Sequence, residues 1–158
     1  MAADPLPSRG VIDGPVHRYA LRVYYEDTDA GGVVYHANYL RWFERARSDL
    51  LECLEIDQRA ALDAGEGLYT VAEAALRYHA PARLGDAVVI ETRPVTVGRV
   101  ACTLEQVASR DGVKLCTGMV KVGFIGPDGR PRRQPDAWQH AFASLAIPAP
   151  EPLREGPE

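Results

Sequence analysis

The chain has 158 residues, 46% hydrophobic and 25% charged, with a formal net charge of -4. That length holds one domain with a sizeable core, and the mildly acidic balance excludes a basic footing for nucleic acid. No apolar run approaches the roughly 20 residues of a transmembrane segment, and the N-terminus lacks the basic-then-apolar order of a signal peptide.

Residues 1–16 carry Pro5, Pro7, Gly10, Gly14 and Pro15 with little apolar periodicity and are expected to be a flexible N-terminal segment. The ordered domain is expected over 17–147. His17–Glu26 reads as a strand with Tyr19, Leu21, Val23 and Tyr25 on one face. From Ala37 the period changes, because Tyr39, Trp42, Phe43, Ala46, Leu50 and Leu54 follow helical spacing. A short helix is expected over Asp57–Ala64, closed by Gly65 and Gly67. Four strands follow, at Tyr69–His79, Ala87–Val97, Arg99–Ser109 and Val113–Phe124. Asp111-Gly112 is a two-residue hairpin signal. That turn would set Leu104 opposite Met119, Val107 opposite Cys116 and Cys102 opposite Lys121. A terminal helix is expected over Asp136–Leu145, and 148–158, reading PAPEPLREGPE, as a flexible tail. One long helix with a mostly antiparallel sheet is an α+β arrangement.

Cys53, Cys102 and Cys116 show no metal-ligand spacing and leave one thiol over in any disulfide scheme. Reduced thiols and a cytoplasmic location are the expectation.

The chemistry concentrates at Tyr24–Arg47. A strand ends in Asp27 and Asp29, Gly31 and Gly32 follow, then His36 and the helix. A calcium loop starting at Asp27 fails, because Gly31 and Asn38 fall where oxygen ligands are needed. A phosphatase-like pair of acids would want alternating strands and helices, which the flanks lack. The bland reading is that Asp27-Thr28-Asp29 simply ends a strand. A carboxylate, a glycine turn and a helix N-terminus in this order suit attack on an acyl carbon, with the helix start holding the oxyanion.

The motif YYEDTDAGGVVYHANY, Tyr24–Tyr39, resembles the hotdog-fold thioesterases of the 4-hydroxybenzoyl-CoA thioesterase type. Within them it is most similar to the acyl-CoA thioesterases associated with the Tol-Pal envelope system. YHAPARLGD, Tyr78–Asp86, resembles the family's link between its second and third strands. The likeness runs from about Arg18 to Phe124. It implies a hotdog fold and a homo-oligomer, a dimer or a tetramer. It implies an acyl-CoA thioester substrate, with acyl carrier protein as the alternative carrier, and no metal or cofactor. Asp29 matches the catalytic aspartate, and His36 matches the residue at the start of the central helix whose backbone N–H polarises the thioester carbonyl. Gly31 and Gly32 let the backbone approach substrate, and Tyr35, with Tyr24, Tyr25 and Tyr39, is expected in the core or the pocket wall. Arg99, at the Gly98 turn where related enzymes place a phosphate-binding cation, and Arg83 are the candidates for coenzyme A; a solvated arginine is the alternative for each. A hotdog dehydratase or hydratase would space its Asp and His by four residues, whereas six separate Asp29 from His36. A non-catalytic acyl-CoA-binding relative would lack the carboxylate.

Overall fold

The computed structural model describes residues 2–146. In chain order the elements are β1 (Val11–Asp13), β2 (Val16–Arg22), a 3-10 turn (Tyr25–Asp27), α1 (Asn38–Cys53) and α2 (Gln58–Asp63). β3 (Leu68–Tyr78), β4 (Ala87–Val97), β5 (Ala101–Arg110), β6 (Val113–Ile125) and α3 (Asp136–Ala143) follow. The strands form one antiparallel sheet in the order β1-β2-β4-β5-β6-β3. The sheet curls around α1, so the α+β hotdog arrangement is the one observed.

The helical period of α1 explains the wrap. Tyr39, Trp42, Phe43 and Ala46 are buried with Tyr19, Val23, Val88, Ile90, Ala108 and Leu115 in one cluster. Leu50 and Leu51, two turns on, share a second cluster with Leu104, Val120, Val122 and Phe142 of α3. One apolar stripe therefore meets four strands and a second helix. Gln106, fully buried, donates from Nε2 to the Phe43 carbonyl and to Thr92 Oγ1, both at 3.0 Å. Its Oε1 accepts from Arg47 at 2.8 Å, so the polar group inside the core is satisfied. Phe43 is fully buried, and we expect Phe43→Ala to cost about 3–5 kcal/mol. Chemical denaturation checks this, and a loss under about 1 kcal/mol would show that the sheet does not close on this ring.

The fold differs from the sequence expectation at four places. Residues 11–13 are a strand within the segment expected to be flexible: Gly14-Pro15 turns the chain and Asp13 pairs with Val16. The following strand stops at Arg22 rather than Glu26, and Tyr24, Tyr25 and Tyr35 are exposed instead of walling the core. The Asp111-Gly112 turn forms with positive φ at both residues. A bulge at Leu115 then shifts the pairing, so that Leu104 faces Val120, Val107 faces Thr117 and Cys102 faces Val122. Leu115 and Cys116 are both fully buried, and two successive inward side chains require that extra residue. The three thiols are free, as expected. The terminal helix ends at Ala143, and the tail assigned to 148–158 lies outside the described residues.

Candidate active site

The loop between β2 and α1 separates the two acids into different jobs. Asp27 is structural. Its Oδ2 accepts from the Tyr24 N–H at 2.8 Å and its Oδ1 from Asn38 Nδ2 at 2.9 Å, while its carbonyl accepts from the Tyr35 N–H at 2.9 Å. Asp27 thereby ties the start of the loop to the first turn of α1. Asp29 sits at the tip of a tight reversal. Its N–H donates to the Val33 carbonyl at 2.9 Å, and the Gly32 N–H returns to the Asp29 carbonyl at 3.0 Å. Gly32 has φ +76, a conformation side chains rarely adopt, so the reversal depends on glycine there. Asp29 Oδ1 accepts from the Gly31 N–H at 2.8 Å. Among the described residues Oδ2 has no protein partner, and Asp29 is exposed. One carboxylate oxygen is thus fixed and the other is available.

The start of α1 lies against the same space. Its first turn carries no side-chain cap. Among the described residues, the N–H groups of His36 and Ala37 find no backbone acceptor. Uncapped donors at a helix N-terminus point their partial positive charge outward. Tyr78, at the end of β3, donates its hydroxyl to the His36 carbonyl at 2.9 Å and so pins this turn. Asp29, Val34, His36, Tyr39, Tyr78 and Pro81 line an open cleft of about 360 Å³. Burial pushes the Tyr39 hydroxyl up to about 12, and burial, followed by Cys116, raises that of Tyr78. Both stay neutral donors near pH 7.

The structure therefore brings Asp29 and His36 to one cleft. Gly31 and Gly32 shape the loop rather than line the cleft. Tyr35 borders a neighbouring hollow of about 350 Å³ with Glu26, Asn38 and Arg41. Arg83 lies close by, because the Val34 N–H bonds to the Ala82 carbonyl at 2.9 Å. The Arg83 N–H is held by Asp86 Oδ2 at 2.8 Å, while its side chain is exposed. Arg99 is elsewhere. β4 leaves the Arg83–Asp86 end and runs eleven residues before the Gly98 turn, a length of roughly 33 Å. Within one chain Arg99 does not meet Asp29. Sequence reasoning missed Tyr78 and Asn38 as positioning residues. Tyr78 stands in the second motif, but only the fold reveals its reach of 42 positions back to His36.

An antiparallel sheet curled on one long helix, with Asp29 and His36 lining one cleft at the helix start, is a hotdog arrangement. The comparisons agree. The model of the thioesterase-like superfamily matches residues 23–155. The acyl-CoA thioesterase YbgC of Haemophilus influenzae is 38% identical over 127 residues, covering 77% of this chain and 93% of its own length. The acyl-CoA thioester hydrolase YbgC of an Escherichia coli O6 strain is 48% identical over 75 residues, 48% of this chain and 55% of its own. Among solved structures, a probable thioesterase from Bartonella henselae superposes with a TM-score of 0.72 at 31% identity, over 76% of this chain and 99% of that one. The chain belongs to the thioesterase-like superfamily.

Proposed function

We propose that the chain hydrolyses acyl-coenzyme A thioesters to a free acid and a thiol, with Asp29 as the catalytic carboxylate. The single observation that carries the reading is that Asp29, with Oδ2 free of protein partners among the described residues, and His36, at the uncapped start of α1, line one cleft. Asp29 either attacks the thioester carbon or removes a proton from a water that attacks it. Negative charge then grows on the carbonyl oxygen, where the helix start stabilises it; one such donor is worth roughly 2.7–4 kcal/mol. The thiolate leaves with a conjugate-acid pKa around 8.5, so it departs without the acid assistance an alkoxide needs. The decisive assay is release of free thiol from a panel of acyl-CoA and acyl-carrier-protein thioesters. No release from any member would sink the proposal.

The His36 backbone donor survives truncation of its side chain. We expect His36→Ala to lower kcat by about tenfold to a hundredfold, with a smaller change in KM, because the developing charge is what the site serves. An unchanged kcat would reduce the histidine ring to a surface residue at a helix start.

For coenzyme A, Arg83 is the cation beside the cleft, and Arg99 serves only from a neighbouring subunit. We expect Arg83→Ala and Arg99→Ala each to raise KM for acyl-CoA about threefold to tenfold, the size of one charge-assisted phosphate contact. KM for an acyl-pantetheine should not change. Equal changes for both substrates would rule out phosphate contact at that arginine.

A homotetramer, a cytoplasmic location and association with the Tol-Pal system are parts of the same reading, supported by the likeness to the YbgC proteins. Among the described residues no helix is long and apolar enough to cross a membrane.

A further inference from the structure

The C-terminal half of α1 carries a second cluster of reactive side chains that the thioesterase site does not use. Asp49 and Cys53, one helical turn apart, face His17 of β2. His17 is fully buried and its Nε2 lies 2.6 Å from Asp49 Oδ2; the Asp49 side chain is 12% exposed. Cys53 Sγ lies 3.7 Å from the same oxygen and 3.6 Å from the Gly10 carbonyl. The three ligating atoms fall within 4.8 Å of one another. The Gly10 N–H donates to Asp49 Oδ2 at 2.9 Å. A Cβ on Gly10 would collide with that oxygen, so only glycine lets the N-terminal arm close over the cluster.

We propose that His17, Asp49 and Cys53 form a structural Zn²⁺ site that ties the N-terminal arm, β2 and α1 together. Imidazole nitrogen, carboxylate oxygen and thiolate sulfur are the three donor types zinc takes, at about 2.0–2.1, 2.0–2.2 and 2.3 Å. The three donor atoms converge on one small space, which small side-chain shifts would bring to those lengths. The His17–Asp49 pair must open and the His17–Cys53 pair must close for one ion to hold all three. The fourth position falls to water or to the Gly10 carbonyl. Binding expels the Cys53 thiol proton, and Asp49 and Cys53 together cancel the charge of the ion. The other ring nitrogen of His17, Nδ1, is buried and engages no other group. A thiol among hard oxygen donors disfavours Mg²⁺ and Ca²⁺. The site lies about four turns along α1 from His36, so the ion takes no part in hydrolysis.

The test uses Co²⁺ as a coloured stand-in. Chelator-stripped full-length protein, titrated with Co²⁺, should develop a near-ultraviolet thiolate charge-transfer band that saturates at one equivalent and is bleached by Zn²⁺. Cys53→Ser, checked for folding by circular dichroism, should lose the band. Asp49→Asn, which keeps a carbonyl acceptor for Gly10 and His17, should weaken Zn²⁺ binding at least about tenfold. Zn²⁺ should also raise the melting temperature of the wild type and leave that of Cys53→Ser unchanged. No band at one equivalent, or a band that persists in Cys53→Ser, would overturn the proposal and leave a hydrogen-bonded clamp only.

Discussion

Asp29→Asn should reduce kcat/KM for an acyl-CoA by about 10²–10⁴, the range that loss of a catalytic base produces, with no change in the unfolding midpoint. Asparagine keeps the shape, and its carbonyl oxygen can still accept from the Gly31 N–H that holds Asp29 Oδ1 at 2.8 Å. What disappears is the basicity of Oδ2, the oxygen without a protein partner among the described residues. Stability should not respond, because Asp29 is exposed and ties nothing in the core. The neighbouring acid gives the contrast. Asp27→Asn replaces an acceptor-only oxygen by an amide that cannot serve both the Tyr24 N–H and Asn38 Nδ2. That variant should loosen the loop and lose activity together with local order. Steady-state kinetics and thermal melts of the two variants separate chemistry from architecture. If the Asp29 variant keeps more than about a tenth of the wild-type kcat/KM, the loss is under ~1.4 kcal/mol and Asp29 is not the key carboxylate.

The switch from period two to period 3.6 after the glycines made α1 legible in the sequence, and the helix observed starts one residue from the expected place. The long strands were legible for the same reason: alternation and the Asp111-Gly112 turn mark their ends. What escaped is what depends on neighbours distant in sequence. The bulge at Leu115 follows from the core wanting both Leu115 and Cys116 inside, which no local pattern announces. β1 exists because β2 offers an edge to it, not because Val11–Asp13 prefers extension over its glycine- and proline-rich surroundings. Tyr24 and Tyr25 continue the alternation of β2, yet the Asp27 carboxylate captures the Tyr24 N–H and folds the chain into a 3-10 turn, so both rings reach solvent. That Asp29 and His36 would stand near one another was readable from the order of acid, glycines and helix start. The division of labour between Asp27 and Asp29 was not, since it rests on Asn38 and Tyr24 reaching back to one acid only. Likewise Cys53 looks inert in the sequence, and only the fold sets His17, 36 positions earlier, beside it.

We infer that the functional unit is an oligomer joined along β3, and a Val71→Asp change should break it. The sheet has two edges. β1, the first, has three residues and offers few unpaired groups. β3, the second, runs eleven residues, most of them exposed, with Val71 at 47% and Tyr78 at 48% exposure. A long edge of free N–H and C=O groups is what soluble proteins cover or pair. The simplest cover is a second β3 related by a twofold axis, which closes the assembly. Antiparallel pairing sets the start of one β3 against the end of the other. Tyr78, at the end, holds the His36 turn of its own chain, so the partner's residues near Tyr69 would stand against the Asp29 cleft. The cleft is open on one side in a single chain, and the partner strand would supply the missing wall. Val71→Asp places like charges near each other across the axis while leaving the core of each chain intact. We expect the wild type to scatter light as two or four chains at micromolar concentration. The variant should shift towards single chains and lose at least about tenfold in kcat/KM, with its circular dichroism retained. A wild-type chain that is monomeric and fully active would overturn both the assembly and the shared wall.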